Sequence, residues 1–237
     1  MTDFYLSFLD LIFIKVQSSA DLEVNDLFKV LLGAYVPGTK VVIKPDRIPD
    51  LVIEQIQSDD RNFFQEKNRI FICDNWQKEF PLDFYHLLYS VLRIELLKRE
   101  LFSVHAACVE NNDYILIVGH TGVGKTSIIL ELLKDEKIRL LSANKTVVVF
   151  RDGNLEAIAG TKTVTAAAED IKNHSKKGAP LIKYGDRVAA TLDSQYTNNR
   201  GRIRAVALVS LNDGVSENKI LSPMKALHRL YGYFLDT

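Results

Sequence analysis

The sequence predicts an α/β protein with a mixed sheet, in which a small α+β region over residues 1–100 leads into a larger domain over residues 101–237. Three observations predict it. Apolar runs of strand length alternate with segments of helical periodicity along the chain. Hydrophobic residues make up 47% and charged residues 25%, the balance of a chain that buries a core in water. One strand-like run, Tyr114–Val118, enters a glycine-rich turn that opens directly into an apolar-faced helix, the β–loop–α unit of α/β folds.

Taken in order, Tyr5–Val16, Leu51–Ile56 and Arg69–Cys73 have the apolar content and length of strands. Asp26–Leu32 is a short helix capped by Asn25 or Asp26. Pro37, Pro45 and Pro49 punctuate a loop-and-strand stretch around Lys40–Lys44. Pro81 opens a long helix whose Phe84, Leu87, Leu88, Val91, Leu92 and Leu96 share one face. Arg93, Lys98 and Arg99 place positive charge in its later turns, where the helix dipole favours it. From residue 102, strands Ser103–Val109 and Tyr114–Val118 flank an Asn111-Asn112-Asp113 turn. A helix with Ile128, Ile129, Leu132 and Leu133 follows the glycine loop, and further strands are expected at 138–142, 146–150, 187–192 and 203–211. Residues 171–178 are polar, basic and aperiodic, hence a loop. Ser222 and Pro223 cap a last helix with Met224, Leu227, Leu230, Tyr231 and Phe234 on one side.

Thirty basic side chains cancel thirty acidic ones, which leaves no global field to attract nucleic acid or an anionic membrane surface. The longest apolar runs fall short of the ~20 residues a bilayer-spanning helix needs. Asp3 and Asp10 interrupt the apolar N-terminus, which lacks a basic leader and a small-residue cleavage site, so it does not read as a signal peptide. Cys73 and Cys108 have neither metal-type spacing nor a disulfide framework. They are expected as two buried thiols in a reducing cytoplasm. The first hundred residues hold no cluster of chemically useful side chains, which leaves them packing, partner binding or dimerisation.

Gly119-His120-Thr121-Gly122-Val123-Gly124-Lys125-Thr126 satisfies every required position of G-x-x-x-x-G-K-[ST], the P-loop that binds nucleoside triphosphates. The glycines let the backbone turn tightly and aim its N–H groups at phosphate oxygens. Lys125 supplies a compact cation to the β- and γ-phosphates, and Thr126 offers a hydroxyl to Mg²⁺. The helix that begins here, with Ser127 in its first turn, adds its positive end. The expected ligands are therefore ATP and Mg²⁺. The best candidate for an apolar strand ending in a metal-holding aspartate is 188–192 followed by Asp193, a pattern equally suited to a strand-end turn. Neither a Leu-Ser-Gly-Gly-Gln signature nor an Asn-Lys-x-Asp guanine motif is present, which argues against a transporter motor or a switch GTPase.

The stretch from Phe102 to Val149 resembles the nucleotide-binding domain of HPr kinase/phosphorylase and its small biosynthetic-operon relatives, P-loop kinases that share a core with phosphoenolpyruvate carboxykinase. Ser103-Val104-His105 opens the strand before the loop, YILIVGHTGVGKTSIILELL carries loop and helix in register, and Arg139-Leu140-Leu141-Ser142 matches the strand that brings the family's two acidic residues to its active site. Ala157–Thr163 is similar to a glycine-containing segment further downstream. The resemblance implies a kinase core that transfers the γ-phosphoryl group of ATP to a hydroxyl of a small metabolite or peptide, with a homo-oligomer or an operon-encoded protein as partner. It also exposes departures. The paired aspartates align with Ala143 and Asn144, expected beside the γ-phosphate on the strand next to the P-loop strand. Asparagine can coordinate a metal through its carbonyl oxygen but cannot accept a proton at neutral pH. Asn198-Asn199-Arg200-Gly201 resembles the family's Glu-x-Arg-Gly signature with asparagine in place of the glutamate.

Either Asp186 or Asp193 serves instead, or the chemistry needs no carboxylate base, or the protein binds nucleotide without transferring phosphate. His105 is a partner of the phosphate site or a satisfied core histidine, and His120 an exposed loop residue. Arg200 stabilises transferred charge or belongs to a basic turn. His174, Lys176 and Lys177 form a lid or a solvated loop, and Lys162 is a similar case. Three functions follow: a kinase with His105, Lys125, Asn144 and Arg200 as its catalytic set and Thr126 and Asn144 on the metal, a nucleotide-binding regulatory or scaffold subunit, and an ATP-dependent enzyme that activates a carboxylate or amide.

Overall fold

The computed structural model describes residues 2–43, 45, 47–172, 181–184, 187–192, 196–210, 219–222 and 224–225. Lys44, His174, Lys176, Lys177, Asp186, Asp193, most of the loop expected over 171–178, the end of the strand expected over 203–211 and nearly all of the last expected helix lie outside the described residues. Among those described, sixteen strands and four helices make a mixed α/β chain in which sheet dominates. No helix among them is long and apolar enough to cross a membrane. The chain divides into two compact units, Met1–Glu95 and Leu96–Thr237.

The first unit is built on a six-stranded sheet in the order β3-β1-β2-β4-β6-β5. It comprises β1 (Thr2–Phe8), β2 (Ile12–Ser18), α1 (Asp26–Tyr35), β3 (Thr39–Val42), β4 (Leu51–Ile56), β5 (Asn62–Glu66), β6 (Arg69–Cys73) and most of α2 (Leu82–Leu97). Strands β2, β4 and β6 are parallel, and β5 returns antiparallel along β6. The run expected as one strand over Tyr5–Val16 is a hairpin, because Leu9 and Asp10 take left-handed φ values of 51° and 57°. The Leu11 N–H closes the turn on the Phe8 carbonyl at 2.9 Å, and the Ser7 hydroxyl donates to the Asp10 carboxylate at 2.8 Å. Period-2 alternation then buries Phe4, Leu6 and Phe8 together with Ile12, Ile14 and Val16, which fixes the register.

Asn25 is the cap of α1, its side chain accepting the Phe28 N–H at 3.0 Å, and the helix runs to Tyr35 rather than Leu32. Helix α2 buries Phe84, Leu88, Val91, Leu92 and Leu96 but leaves Leu87 only half-buried. It ends at Leu97, so Lys98 and Arg99 lie past its last turn and only Arg93 remains on it. Within the unit, Phe28, Phe80 and Phe84 pack with centroids 4.6 and 4.9 Å apart along the chain of contacts. Phe4 and Trp76 meet Phe80 edge-on.

The second unit holds β7 (Leu101–Val104), β8 (Ala106–Asn111), β9 (Asp113–Val118), α3 (Lys125–Leu132), β10 (Arg139–Ser142), β11 (Thr146–Arg151) and β12 (Asn154–Gly160). After them come β13 (Thr163–Ala166), α4 (Ala168–Lys172), β14 (Ile182–Tyr184), β15 (Arg187–Thr191) and β16 (Gly201–Leu208). Seven of the strands form a sheet in the order β10-β8-β9-β16-β12-β11-β7, and β13-β15-β14 form a small second one. The single strand expected over Ser103–Val109 breaks at His105: β7 pairs with β11, while β8 lies between β9 and β10. Strands β5, β12, β13 and β14 and helix α4 are elements that the apolar pattern did not announce, and α4 takes up the first residues of the expected loop, with Ile171 fully buried. One face of β8 and β9 packs Ala106, Cys108, Leu116 and Val118 against Leu141 and Val148. The other packs Ala107, Val109 and Ile117 against Ile129, Leu130 and Leu133 of the α3 region. Burial pushes the Cys108 thiol far up, whereas Cys73 is only half-buried, so one of the two expected buried thiols is not one.

Candidate phosphate-binding site

The glycine loop leaves β9 at Val118, a position fixed from both sides. Val118 pairs with Ala106 of antiparallel β8 and with Leu208 of parallel β16, and its carbonyl accepts the Val209 N–H at 2.8 Å. Gly122 and Gly124 have φ of +85° and +89°, the region in which an L side chain is strained, and Gly124 then caps α3. His120, Thr121, Gly122 and Ser127 are exposed, while Val123, Gly124 and Thr126 are half-buried.

Lys125 is the exception. It is 7% exposed, and its ammonium folds back to donate to the carbonyls of Gly119 at 2.5 Å and His120 at 3.0 Å. Burial lowers its pKa below the ordinary lysine value. A desolvated cation held by two carbonyls of its own loop thus stands at the start of a helix.

Two other expected residues are brought to the same edge. His105 directly precedes Ala106, the partner of Val118, so the bend between β7 and β8 sets it beside the start of the loop. Strand β10 runs antiparallel to β8 and therefore parallel to β9, and its end delivers Ala143 and Asn144 to that edge. It is not the strand next to β9, as expected, because β8 lies between them. His105 Nε2 is 2.8 Å from Asn144 Oδ1; with Nε2 protonated, the imidazole donates to the amide oxygen. Ala143 is buried.

Asn144 is held by a residue that sequence reasoning did not single out by role. Thr161, fully buried, accepts the N–H groups of Asn144 and Lys145 on its hydroxyl at 3.0 and 3.1 Å. Its carbonyl accepts the Ala143 N–H at 2.9 Å, and its own N–H donates to the Lys145 carbonyl at 3.1 Å. The preceding Gly160 allows this clamp, since a Cβ there would collide with the Leu141 carbonyl and Ser142. On the other side Thr146 donates to the Ala106 carbonyl at 2.7 Å, tying the loop to the strand that follows His105. Thr161→Val, which strips the shared acceptor from two N–H groups, is expected to cost about 1–3 kcal/mol of stability. Thr161→Ser should restore it. Denaturant unfolding checks this, and an unchanged midpoint in the valine variant would remove the clamp.

Arg200 is placed elsewhere. Strand β16 runs parallel to β9, so Leu208 lies at the glycine-loop edge and Arg200 precedes the strand's far end. Leu208 is eight steps along the chain from Arg200, on the order of 26 Å of extended strand. The neighbouring Asn199 carbonyl accepts from Tyr114 at the start of β9, and Arg200 is exposed. Lys162 lies 5.0 Å over the Tyr196 ring. The described residues contain no group of three or more His, Cys, Asp or Glu suited to a metal. No protein-family model matches the chain, and a search of curated proteins likewise finds no match.

Proposed function

We propose that the protein is a P-loop phosphotransferase similar to HPr kinase, which transfers the γ-phosphoryl group of ATP to a hydroxyl of a small metabolite or peptide in the cytoplasm. The observation that carries the reading is the convergence, on one sheet edge, of the loop bearing Lys125 with the His105–Asn144 pair. In-line transfer forms a bond from the acceptor oxygen to phosphorus as the bond to the ADP oxygen breaks, and it depends mainly on positioning and charge neutralisation. Lys125 and the loop N–H groups bind and orient the phosphates. Asn144 orients the His105 imidazole, a side chain beside the loop that can take up the acceptor's proton. Thr126 would hold Mg²⁺, whose contribution is to neutralise phosphate charge. Arg200 has no part in this site.

A nucleotide-binding regulatory subunit is the second reading, favoured by Ala143 and Asn144 standing at a strand end where a kinase of this kind needs acids. Phosphoryl transfer or phosphate release at millimolar ATP, compared with Lys125→Ala, separates the two. Full nucleotide affinity is expected only with Mg²⁺, and equal affinity in EDTA would sink the metal-assisted site.

A further inference from the structure

A cavity of about 440 Å³ opens in the first unit, between strand β5 and helix α2. Its apolar lining includes Trp76 and Phe84, nearly fully buried, with Phe63 of β5 and Leu87 of α2. The size and lining are those of a ligand site. The rim is charged: Arg61 bridges Asp83 and, at 3.5 Å, Asp74, so one guanidinium serves two carboxylates. Arg61 and Asp83 side chains are each 66% exposed, and an ion pair so solvated holds little.

Beside the cavity, β5 is an edge of the sheet and every one of its residues is exposed. Proteins usually blunt such edges with lysine, proline or a bulge. The opposite edge, β3, carries Lys40 between Pro37 and Pro45. Strand β5 reads Asn-Phe-Phe-Gln-Glu, pairs with β6 in unbroken register, and leaves Phe63 54% exposed. Asp59, Asp60 and Glu66 flank this edge, adding to Asp74 and Asp83, against Arg61, Lys67 and Arg69, the register partner of Glu66. Five carboxylates against three cations leave this edge net negative in a chain that is neutral overall.

We propose that the β5 edge and its cavity bind an extended basic peptide segment of another protein by strand addition. One apolar side chain of the segment enters the cavity, and a Lys or Arg two residues along, on the same face of the added strand, takes the place of Arg61 on Asp74 and Asp83. Backbone pairing supplies affinity, while the cavity and the carboxylates supply selectivity. The site is separate from the P-loop proposal and does not depend on it.

Trp76 is the chain's only tryptophan, so its emission reports occupancy of the cavity directly. The probe is a capped heptapeptide, Lys-Thr-Val-Thr-Lys-Thr-Val, in which Lys and Val alternate along one face of the strand, titrated into the full chain. A charge-reversed Glu/Val peptide and the Lys/Val peptide N-methylated at alternate amides serve as comparisons. The Lys/Val peptide should give a saturable shift, with both comparison peptides at least tenfold weaker. Asp83→Lys should weaken binding of the Lys/Val peptide by a similar factor. Asp83→Asn gives a smaller loss in the same direction and serves if the lysine variant does not fold. No saturable shift at millimolar peptide, or equal binding of the methylated or acidic peptide, overturns the proposal. So does concentration-dependent self-association that Phe63→Ser abolishes while no peptide binds, since a second copy then occupies the edge.

Discussion

Lys125→Ala is expected to weaken nucleotide binding roughly ten- to a hundredfold and to abolish turnover while leaving the chain folded. A charge-assisted contact of this type contributes ~1.5–3 kcal/mol, and each 1.4 kcal/mol is about tenfold in affinity. The fold should survive because α3 is seated by Ile129 and Leu130, while the Lys125 ammonium donates to carbonyls of its own loop. The charge also sets a pH signature. Burial lowers the lysine pKa in the folded protein, so the charged form is disfavoured there, and this cost to stability is present at low pH and disappears as pH rises past the unfolded value. Nucleotide binding needs the charge. Affinity should therefore fall as pH climbs through the lowered value, before an ordinary lysine would titrate, and the alanine variant should lack that decline. Calorimetric titration across alkaline pH, with circular dichroism for the fold, measures both. An alanine variant with wild-type affinity would remove the loop from nucleotide binding.

The strand, the glycine loop and the helix after it were legible because their signals are local: a glycine pattern, a lysine and helical apolar spacing. Leu51–Ile56 and Arg69–Cys73 were legible for the same reason, each containing an apolar run of three or four residues. The turn at Leu9-Asp10 was not, since it carries no glycine and its left-handed residues are supported by the strands on either side. Strand β5 was hidden because all its residues are exposed and no alternation survives. The break at His105 depends on which strand each half pairs with, a long-range choice between β11 and β9. The same limit explains Arg200: its basic turn is plain in sequence, but only the parallel register of β16 shows which end of the sheet it occupies. Thr161, 17 residues from Asn144, had one local signal, the glycine before it, and nothing to say what that glycine approaches.

His105 and Asn144 are where the proposed chemistry stands or falls. The imidazole and the amide oxygen are 2.8 Å apart, and the backbone of Asn144 is pinned by Thr161. His105→Ala should lower kcat roughly a hundredfold, the range of a lost general base, while changing nucleotide affinity little, because phosphate binding rests on Lys125 and the loop amides. A loose transition state asks little of the base, so the loss should sit at the lower end of that range. Asn144→Asp tests the pair from the other side. A carboxylate at this position still accepts the Nε2 proton and now stabilises the protonated imidazole, which makes His105 the stronger base and offers the metal a charged ligand. Activity should be kept or raised. Single-turnover transfer from labelled ATP, beside equilibrium nucleotide binding, reads the two effects separately. If both variants bind nucleotide and turn over like the wild type, the pair is not catalytic, and the protein acts by binding nucleotide rather than by transferring its phosphate.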